Sequence, residues 1–342
     1  MRAPSASLLR GAFRLLSTSP PVPRKQSLRT LRASYNKGEP ITVLTAYDYP
    51  SALHADLAGV QCVLVGDSVG MVVLGHRTTQ PVTIADMIHH TRAARRGVAS
   101  ALLVADLPFG SYERSPAQAV DTALQIIKET GADAVKLEGG VSRQKSIAAI
   151  ADAGIAVFGH VGLMPQAVSN LGGFRAMGRT SKEAICVLDD ARAVQDAGAF
   201  ALVVECVPNR VADVVTKALD IPTIGIGSGN ACSGQVLVYH DMLGILNHPH
   251  HAKVAPKFSK QFAGLASHIH EAILQYCSEV KQRDFPDKLH SPYRIPDEEF
   301  EQFLHDADKS LLKNLRGRQT KGAETESGKH GGSEATDGIS LY

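Results

Sequence analysis

The chain lacks the features that mark several large classes of protein. It contains no run of about 18 apolar residues, so the sequence predicts no transmembrane helix and no membrane partner. Its formal net charge is +2, without the clustered excess of Lys and Arg typical of nucleic-acid surfaces, and we expect no nucleic-acid partner. Its five cysteines form no CxxC pair, which favours reduced thiols in a reducing compartment. What remains is a globular chain of 342 residues, 44% hydrophobic, long enough for one large core.

The two ends differ in composition from the middle. Residues 1–37 contain no acidic residue but several arginines and serines, and Leu8, Leu9 and Phe13 begin an apolar helical stripe beside the arginines. These features match a mitochondrial transit peptide, which we assign to residues 1–26; a disordered basic tail and a chloroplast address are the alternatives. Residues 316–342 are rich in Gly, Ser, Lys and Glu and are predicted to be a disordered tail, after a C-terminal extension at residues 291–315.

Between these ends, helical stretch, glycine and apolar run recur in that order. Ser115-Pro116 is typical of a helix start, and Thr180 with Glu183 has the spacing of a capping box. Glycines that can take the left-handed cap end four helical stretches, at Gly59, Gly131, Gly154 and Gly198. The eight predicted strands span residues 41–45, 61–65, 101–105, 133–137, 155–159, 200–204, 221–226 and 236–240.

The strands are continuously apolar, as in a parallel sheet that helices cover on its outside. Eight is the number that a closed barrel needs, and we predict a (β/α)8 TIM barrel of the α/β class over residues 27–290. A doubly wound open sheet shares this local pattern. However, no GxGxxG follows the first strand, and functional residue types follow nearly every strand instead of clustering at one switch point.

Side chains that can bind a metal or transfer a proton follow the apolar runs. In a parallel barrel these strand ends share one face, where such enzymes keep their chemistry. One isolated acid there is often only a helix N-cap, but four at one mouth repel each other unless a cation offsets them. Such oxygen-rich sites suit Mg²⁺, which takes one or two carboxylates and fills its shell with water and substrate oxygens. We therefore infer a divalent metal held by a subset of the acids Asp67, Asp106, Glu138 and Glu205.

Two basic side chains accompany these acids. Lys136 lies two residues before Glu138 on one strand, so both side chains point to the same side of the sheet. Lys136 could neutralise Glu138 or form a Schiff base, but a metal can polarise a carbonyl by itself, and we interpret Lys136 as a binder of the substrate carboxylate. His160 either donates a hydrogen bond to the substrate or satisfies a buried backbone carbonyl.

Nine ordered motifs between about residues 27 and 276 resemble the ketopantoate hydroxymethyltransferase family. They are Thr45-Ala-Tyr-Asp48, Val65-Gly-Asp-Ser68, Gly75-His76, Pro81-Val-Thr83, Ala105-Asp-Leu-Pro-Phe109, Val135-Lys-Leu-Glu-Gly-Gly140, Gly159-His160, Glu205-Cys-Val-Pro208 and Gly225-Ile-Gly-Ser-Gly-Asn230. The resemblance implies an Mg²⁺-dependent α/β barrel, with one ion per subunit. It also implies transfer of a one-carbon unit from 5,10-methylenetetrahydrofolate to 3-methyl-2-oxobutanoate, giving 2-dehydropantoate in pantothenate biosynthesis. Members of the family form large homo-oligomers, commonly decamers.

The resemblance also implies roles for individual residues. It makes Asp67 and Asp106 metal ligands that also help to place the oxo acid, with Glu138 in or next to the metal shell. Ser68 and Lys136 correspond to oxo-acid contacts, and His160 joins them as a substrate-binding candidate. Glu205 corresponds to the proton acceptor.

Two other functions fit parts of the pattern. Barrels of the phosphoenolpyruvate mutase and isocitrate lyase type also combine Mg²⁺, strand-end acids and enolates of 2-oxo acids, so a folate-independent 2-oxo acid lyase is the main alternative. An inactive, metal-stabilised scaffold is the other. Acids at several separate strand ends argue against the scaffold, because an inactive chain has no reason to keep them.

Overall fold

The computed structural model describes residues 25–167, 175–246 and 258–307. The predicted transit peptide lies almost entirely outside the described residues, and the predicted tail at residues 316–342 lies wholly outside them. The chain divides into two compact units, Met1–Glu271 and Ala272–Tyr342, and the first contains the barrel.

Eight parallel strands close into a barrel in chain order, which confirms the predicted fold class. Closure is made between the first and last strands, where Ile41 pairs with Gly234 and Leu44 with Leu237. The strands are β1 Ile41–Thr45, β2 Cys62–Val65, β3 Leu102–Asp106, β4 Ala134–Lys136, β5 Val157–Gly162, β6 Ala201–Glu205, β7 Thr223–Ile226 and β8 Gly234–Leu237. The alternative of an open, doubly wound sheet is thereby excluded.

Most strand ends lie within two residues of the predicted ones, and the C-terminal ends of two strands differ by three. β5 continues to Gly162 because β6 pairs with it as far as Glu205, so His160 lies inside the strand and not just past its end. The eighth strand was predicted over residues 236–240 but ends at Leu237, and a short helix follows. The ladder stops there because the backbone N–H of Tyr239 donates to the Thr45 hydroxyl at 2.9 Å instead of to a strand carbonyl.

Helices follow most of the strands. They are α1 Leu28–Asn36, α2 Tyr49–Leu57, α3 Val69–Val72, α4 Ile84–Gly97, α5 Pro116–Thr130, α6 Gln144–Asp152, α7 Ser181–Asp196, α8 Asn209–Lys217, α9 Tyr239–Leu243, α10 Leu265–Gln282 and α11 Asp297–Asp306. Two 3₁₀ turns, Val141–Arg143 and Pro165–Ala167, follow β4 and β5. Among the described residues no helix combines the length and apolar character needed to cross a membrane.

The predicted helix caps are largely present. The four glycines expected at helix ends, Gly59, Gly131, Gly154 and Gly198, all have positive φ. Ser115 caps α5, whose first residue is Pro116. The capping box at α7 is only half formed: the Thr180 hydroxyl accepts from the Glu183 N–H, but the Glu183 carboxylate accepts from the Arg179 N–H instead of from the cap residue.

The core has two layers because alternate strand residues face opposite sides of the sheet. The outer layer packs the strands against the helices and includes Val63, Val65 and Leu103. The inner layer fills the barrel itself, with Leu31 of α1 packed against its strands. Its other members are Ile41, Val43, Cys62, Leu64, Leu102, Val104, Ala134, Phe158, Ala201, Val203, Ile224 and Val236. The barrel interior is therefore apolar below the mouth, and polar side chains begin only at its upper end.

A buried carboxylate joins α2 to the start of β3. Asp56 accepts hydrogen bonds from the backbone N–H groups of Ala99, Ser100 and Ala101 at 3.1, 2.9 and 2.6 Å. Burial raises the pKa of Asp56, but these three donors outweigh it and leave the pKa below its usual value. Asp56 therefore fixes the chain entering β3, the strand that ends in Asp106.

Candidate active site

The period-two alternation of the strands builds the site. On β3 the inward residues are Leu102 and Val104, and the next position in the same row is Asp106. The same continuation leads from Ala134 to Lys136 on β4, from Phe158 to His160 on β5 and from Val203 to Glu205 on β6. Each inward row thus changes from apolar to polar at the C-terminal mouth, which brings the predicted side chains to one face.

Asp67 and Asp106 are joined through the backbone of the loop after β2. The Asp67 N–H donates to Asp106 Oδ2 at 3.0 Å, and both carboxyl groups are buried. At Gly66 an added Cβ would lie 2.9 Å from Ser68 Oγ, closer than real Cβ contacts, but at an ordinary 3.5 Å from Asp106 Oδ2. Glycine at this inward position therefore leaves room for the Ser68 hydroxyl beside the two acids.

Lys136 forms a buried ion pair with Asp106 across the β3–β4 register. Its Nζ lies 2.7 Å from Asp106 Oδ1, and the two residues are 5% and 2% exposed. Burial by itself lowers the pKa of Lys136, but nearby carboxylates, Asp106 first, outweigh it and hold the pKa above its usual value. Lys136 is therefore charged at neutral pH, and its direct partner is Asp106 and not Glu138.

Glu138, His160 and Glu205 continue the row around the mouth. His160 Nδ1 lies 3.6 Å from Glu138 Oε1, and His160 Nε2 lies 3.2 Å from Glu205 Oε2. Neither ring nitrogen makes a hydrogen bond within the described part of the chain, so neither is committed there to a backbone carbonyl. Burial, and next the charge of Asp67, raise the pKa of Glu138 well above its usual range, although Lys136 opposes them.

The backbone beside Glu205 is constrained from two sides. Cys206 has φ of 52°, the left-handed region, where non-glycine residues are strained and occur preferentially at functional sites. Its N–H donates to the Ile226 carbonyl at 2.9 Å. Gly162, with φ of 94°, passes so close that an added Cβ would lie 2.3 Å from the Glu205 carbonyl oxygen. These contacts fix the position from which the Glu205 side chain reaches the mouth.

Ser68 is held by a buried tyrosine. The Tyr47 and Ser68 hydroxyl groups lie 2.8 Å apart, and His90 Nδ1 lies 2.7 Å from the Tyr47 carbonyl oxygen. Burial raises the pKa of Tyr47 above its usual value, so the phenol is neutral at any ordinary pH. Tyr47 therefore acts on Ser68 as a hydrogen-bonding neighbour.

Sequence reasoning missed a side chain at the centre of this group. Gln166, in the 3₁₀ turn after β5, is 3% exposed and donates from Nε2 to Asp67 Oδ2 at 2.9 Å. Tyr112, also missed, donates its hydroxyl to Gln166 Oε1 at 2.5 Å. Each lies six positions beyond a predicted strand-end residue, Gln166 after His160 and Tyr112 after Asp106. Had amide and phenol side chains in the loops after the strands been counted as possible site residues, Gln166 and Tyr112 would both have been candidates.

The carboxylates fit a divalent cation held jointly with substrate and water. No group of three or more His, Cys, Asp and Glu side chains in the described residues forms a ready-made metal site. Mg²⁺ needs fewer, since one or two carboxylates are its usual protein ligands. Asp67, Asp106 and Glu138 are all buried, and in the described residues Lys136 forms its ion pair with Asp106. Burial raises the pKa of Asp106 despite Lys136, and Asp67 adds to the rise. A cation would relieve this excess of buried negative charge.

The chain is similar in sequence to proteins of one family. The family model for ketopantoate hydroxymethyltransferase matches residues 25–288. A mitochondrial 3-methyl-2-oxobutanoate hydroxymethyltransferase 1 of Arabidopsis thaliana is 55% identical over 287 residues, covering 84% of this chain and 83% of the plant protein. The 3-methyl-2-oxobutanoate hydroxymethyltransferase of Moorella thermoacetica is 53% identical over 265 residues, covering 78% of this chain and 97% of the bacterial protein.

Solved structures share the architecture at much lower identity. The phosphoenolpyruvate phosphomutase of Streptomyces platensis subsp. rosaceus superposes with a TM-score of 0.51 at 14% identity, covering 88% of this chain and 99% of that one. At this identity the likeness describes the fold alone.

Proposed function

The chain belongs to the ketopantoate hydroxymethyltransferase family, and on that premise we propose that its barrel mouth transfers a hydroxymethyl group to 3-methyl-2-oxobutanoate. The observation that carries the proposal is the row of buried polar side chains at the C-terminal strand ends. At one mouth this row brings together the buried acids Asp67 and Asp106, the charged Lys136 and the less buried carboxylate of Glu205. Such a set suits an anionic oxo acid that must lose a proton from carbon.

Asp67 and Asp106 are the proposed ligands of Mg²⁺, with Glu138 in its shell or beside it. Bound there, the ion would polarise the keto oxygen and so acidify the C3 hydrogen of the substrate. Lys136 supplies a fixed positive charge for the substrate carboxylate, since its ion pair with Asp106 uses one of its three hydrogens. Ser68, held by Tyr47, donates to the same substrate, and His160 offers it a ring nitrogen that has no hydrogen-bond partner in the described residues.

Glu205 is the proposed general base. It takes the C3 proton of the oxo acid, and C3 then forms a bond to the one-carbon unit. Both bonds from that carbon to the two folate nitrogens break, and water supplies the hydroxyl group that the carbon carries in the product. The C3 proton and the remaining proton of the water pass to the two nitrogens, so that the products are 2-dehydropantoate and tetrahydrofolate. Glu205 suits the role because its side chain is 16% exposed, more than its neighbours, and its Oε2 is 3.2 Å from His160 Nε2.

The remaining parts of the proposal concern donor, assembly, domains and location. We propose 5,10-methylenetetrahydrofolate as the one-carbon donor and a homo-oligomer, a decamer, as the working assembly, both from the family resemblance. The proposed domain limits remain residues 1–26, 27–290, 291–315 and 316–342. The basic N-terminal segment supports import into the mitochondrion, the location that the name of the Arabidopsis thaliana relative states.

An NMR assay in D₂O tests the function directly. It follows the C3 proton of 3-methyl-2-oxobutanoate, and product formation with methylenetetrahydrofolate, in the presence of Mg²⁺ or of EDTA. The proposal expects Mg²⁺-dependent exchange and Mg²⁺-dependent 2-dehydropantoate. Exchange without product would refute the folate donor alone. Absence of both from folded, metal-loaded protein would refute the transferase and favour the 2-oxo acid lyase.

A further inference from the structure

Gln166 makes hydrogen bonds to several parts of the acidic mouth, although the proposed reaction gives it no role. Its backbone N–H donates to Glu138 Oε2 at 3.1 Å, and its side-chain Nε2 donates to Asp67 Oδ2 at 2.9 Å. The same Nε2 also donates to the Leu107 carbonyl at 3.0 Å, in the loop directly after Asp106. One residue thus reaches two of the acids and the loop that follows the third.

The orientation of the Gln166 amide follows from its neighbours. Asp67 Oδ2 and the Leu107 carbonyl accept only, so the nitrogen end of the amide must face them. The oxygen end then faces Tyr112, which donates its hydroxyl hydrogen to Oε1, while the Tyr112 oxygen accepts from the Glu138 N–H at 3.3 Å. Burial raises the pKa of Tyr112 well above its usual value, so this donor keeps its proton. Both polar atoms of the Gln166 side chain therefore make hydrogen bonds, and their partners allow only one orientation of the amide.

The network is turned away from solvent. Gln166 is 3% exposed and Tyr112 is 2% exposed, and buried hydrogen-bond networks of this kind lose rotamer freedom when every member is satisfied. The bonds from Gln166 occupy Oδ2 of Asp67 and Oε2 of Glu138 and leave the other oxygen of each carboxylate without such a bond from Gln166. The Gln166 amide, held by Tyr112, thereby fixes the Asp67 carboxylate, and the Gln166 backbone N–H fixes that of Glu138.

We propose that Gln166 is a positioning residue: its side-chain amide, set by Tyr112, aims Asp67 at the cation, while its backbone N–H holds Glu138. This inference rests on the proposed function, because it presumes that these carboxylates act on a metal. Outer partners of metal ligands typically contribute about 10- to 100-fold to metal affinity or activity. An apolar side chain of similar length at residue 166 removes the donor to Asp67 and the acceptor for Tyr112 without adding charge.

The experiment measures metal binding by the full chain without turnover. Mn²⁺ binding is followed by electron paramagnetic resonance, with Mg²⁺ as competitor, for the parent protein, Gln166→Leu, Tyr112→Phe and Asp67→Asn. Gln61→Leu is the matched control, because the Gln61 amide likewise donates one hydrogen bond and accepts another but lies at the opposite end of the barrel, beside Thr42. Thermal unfolding reports whether each variant is folded.

We expect Gln166→Leu to bind Mn²⁺ about 10- to 100-fold more weakly and Tyr112→Phe about 10-fold more weakly. Gln61→Leu should bind like the parent. Parent-like affinity in folded Gln166→Leu, together with weakened binding by Asp67→Asn, would overturn the positioning role and leave the proposed function standing. Parent-like affinity in Asp67→Asn as well would refute the metal assignment itself. If Gln166→Leu does not fold, Tyr112→Phe decides, and parent-like affinity there overturns the inference.

Discussion

Replacing Glu205 by glutamine removes the proposed base with little change in shape. The Glu205 side chain is 16% exposed, and His160 Nε2 lies 3.2 Å from its Oε2. Stability should change little, since glutamine keeps the size of the side chain and the carboxylate that it replaces is partly exposed. Loss of a general base typically lowers the rate by 10²- to 10⁴-fold, which corresponds to about 2.7–5.5 kcal/mol of activation free energy. We expect that loss in turnover and in C3 exchange alike.

Exchange of the C3 proton in D₂O reports proton removal separately from the folate-dependent transfer of the one-carbon unit. Glu205→Gln should bind Mn²⁺ and the oxo acid nearly as the parent does, while its exchange rate falls at least about 10²-fold. Glu129→Gln is the matched control, since Glu129 pairs with Arg92 at the protein surface. Exchange at the parent rate in folded Glu205→Gln would remove Glu205 from the role of base. Weak metal binding by the same variant would instead indicate that Glu205 belongs to the metal site.

Three further predictions follow from buried contacts. Lys136→Met leaves Asp106 as an unpaired buried carboxylate, so urea unfolding should show about 3–5 kcal/mol of lost stability, and adding Asp106→Asn should recover part of it. Asp56→Ala leaves three N–H groups without their acceptor, at about 1–3 kcal/mol each, and should lower the free energy of unfolding by at least about 3 kcal/mol. Because the folded pKa of Asp56 is lowered, its contribution is present above the unfolded pKa and disappears as pH falls through the folded value; equal losses in Asp56→Ala at pH 7 and at pH 3 would contradict this. Gly162→Ala requires a Cβ 2.3 Å from the Glu205 carbonyl oxygen, so C3 exchange should fall even where circular dichroism shows a folded barrel.

Much of the fold was predictable because its signals are local. Glycine at a helix end and Ser115-Pro116 at a helix start act within a few residues, and the structure has these features where they were expected. Strand boundaries were less predictable because pairing partners far along the chain set them. The end of β8 illustrates this, since a hydroxyl from Thr45 takes the N–H of Tyr239 and stops the ladder.

Part of the candidate site was predictable for a similar reason. Strand direction and the period-two alternation bring Asp106, Lys136 and Glu205 to one mouth in any closed parallel barrel. Their individual partners were not predictable. Lys136 could equally have paired with Glu138, and only the register of β3 against β4, which sets Asp106 opposite Lys136, decides for Asp106.

The sequence by itself determined the parallel barrel, its direction and the identity of the acids at its mouth, because apolar runs, glycine caps and strand-end residues are properties of short segments. Only the tertiary structure decided how those acids are held. Gln166 and Tyr112 carry no charge and stand in no recognised motif, so their importance comes from one fact alone: folding brings an amide and a phenol from separate loops between Asp67 and Glu138. A hydrogen bond depends on distances that short segments do not fix, and residues far apart in sequence meet only in the closed barrel.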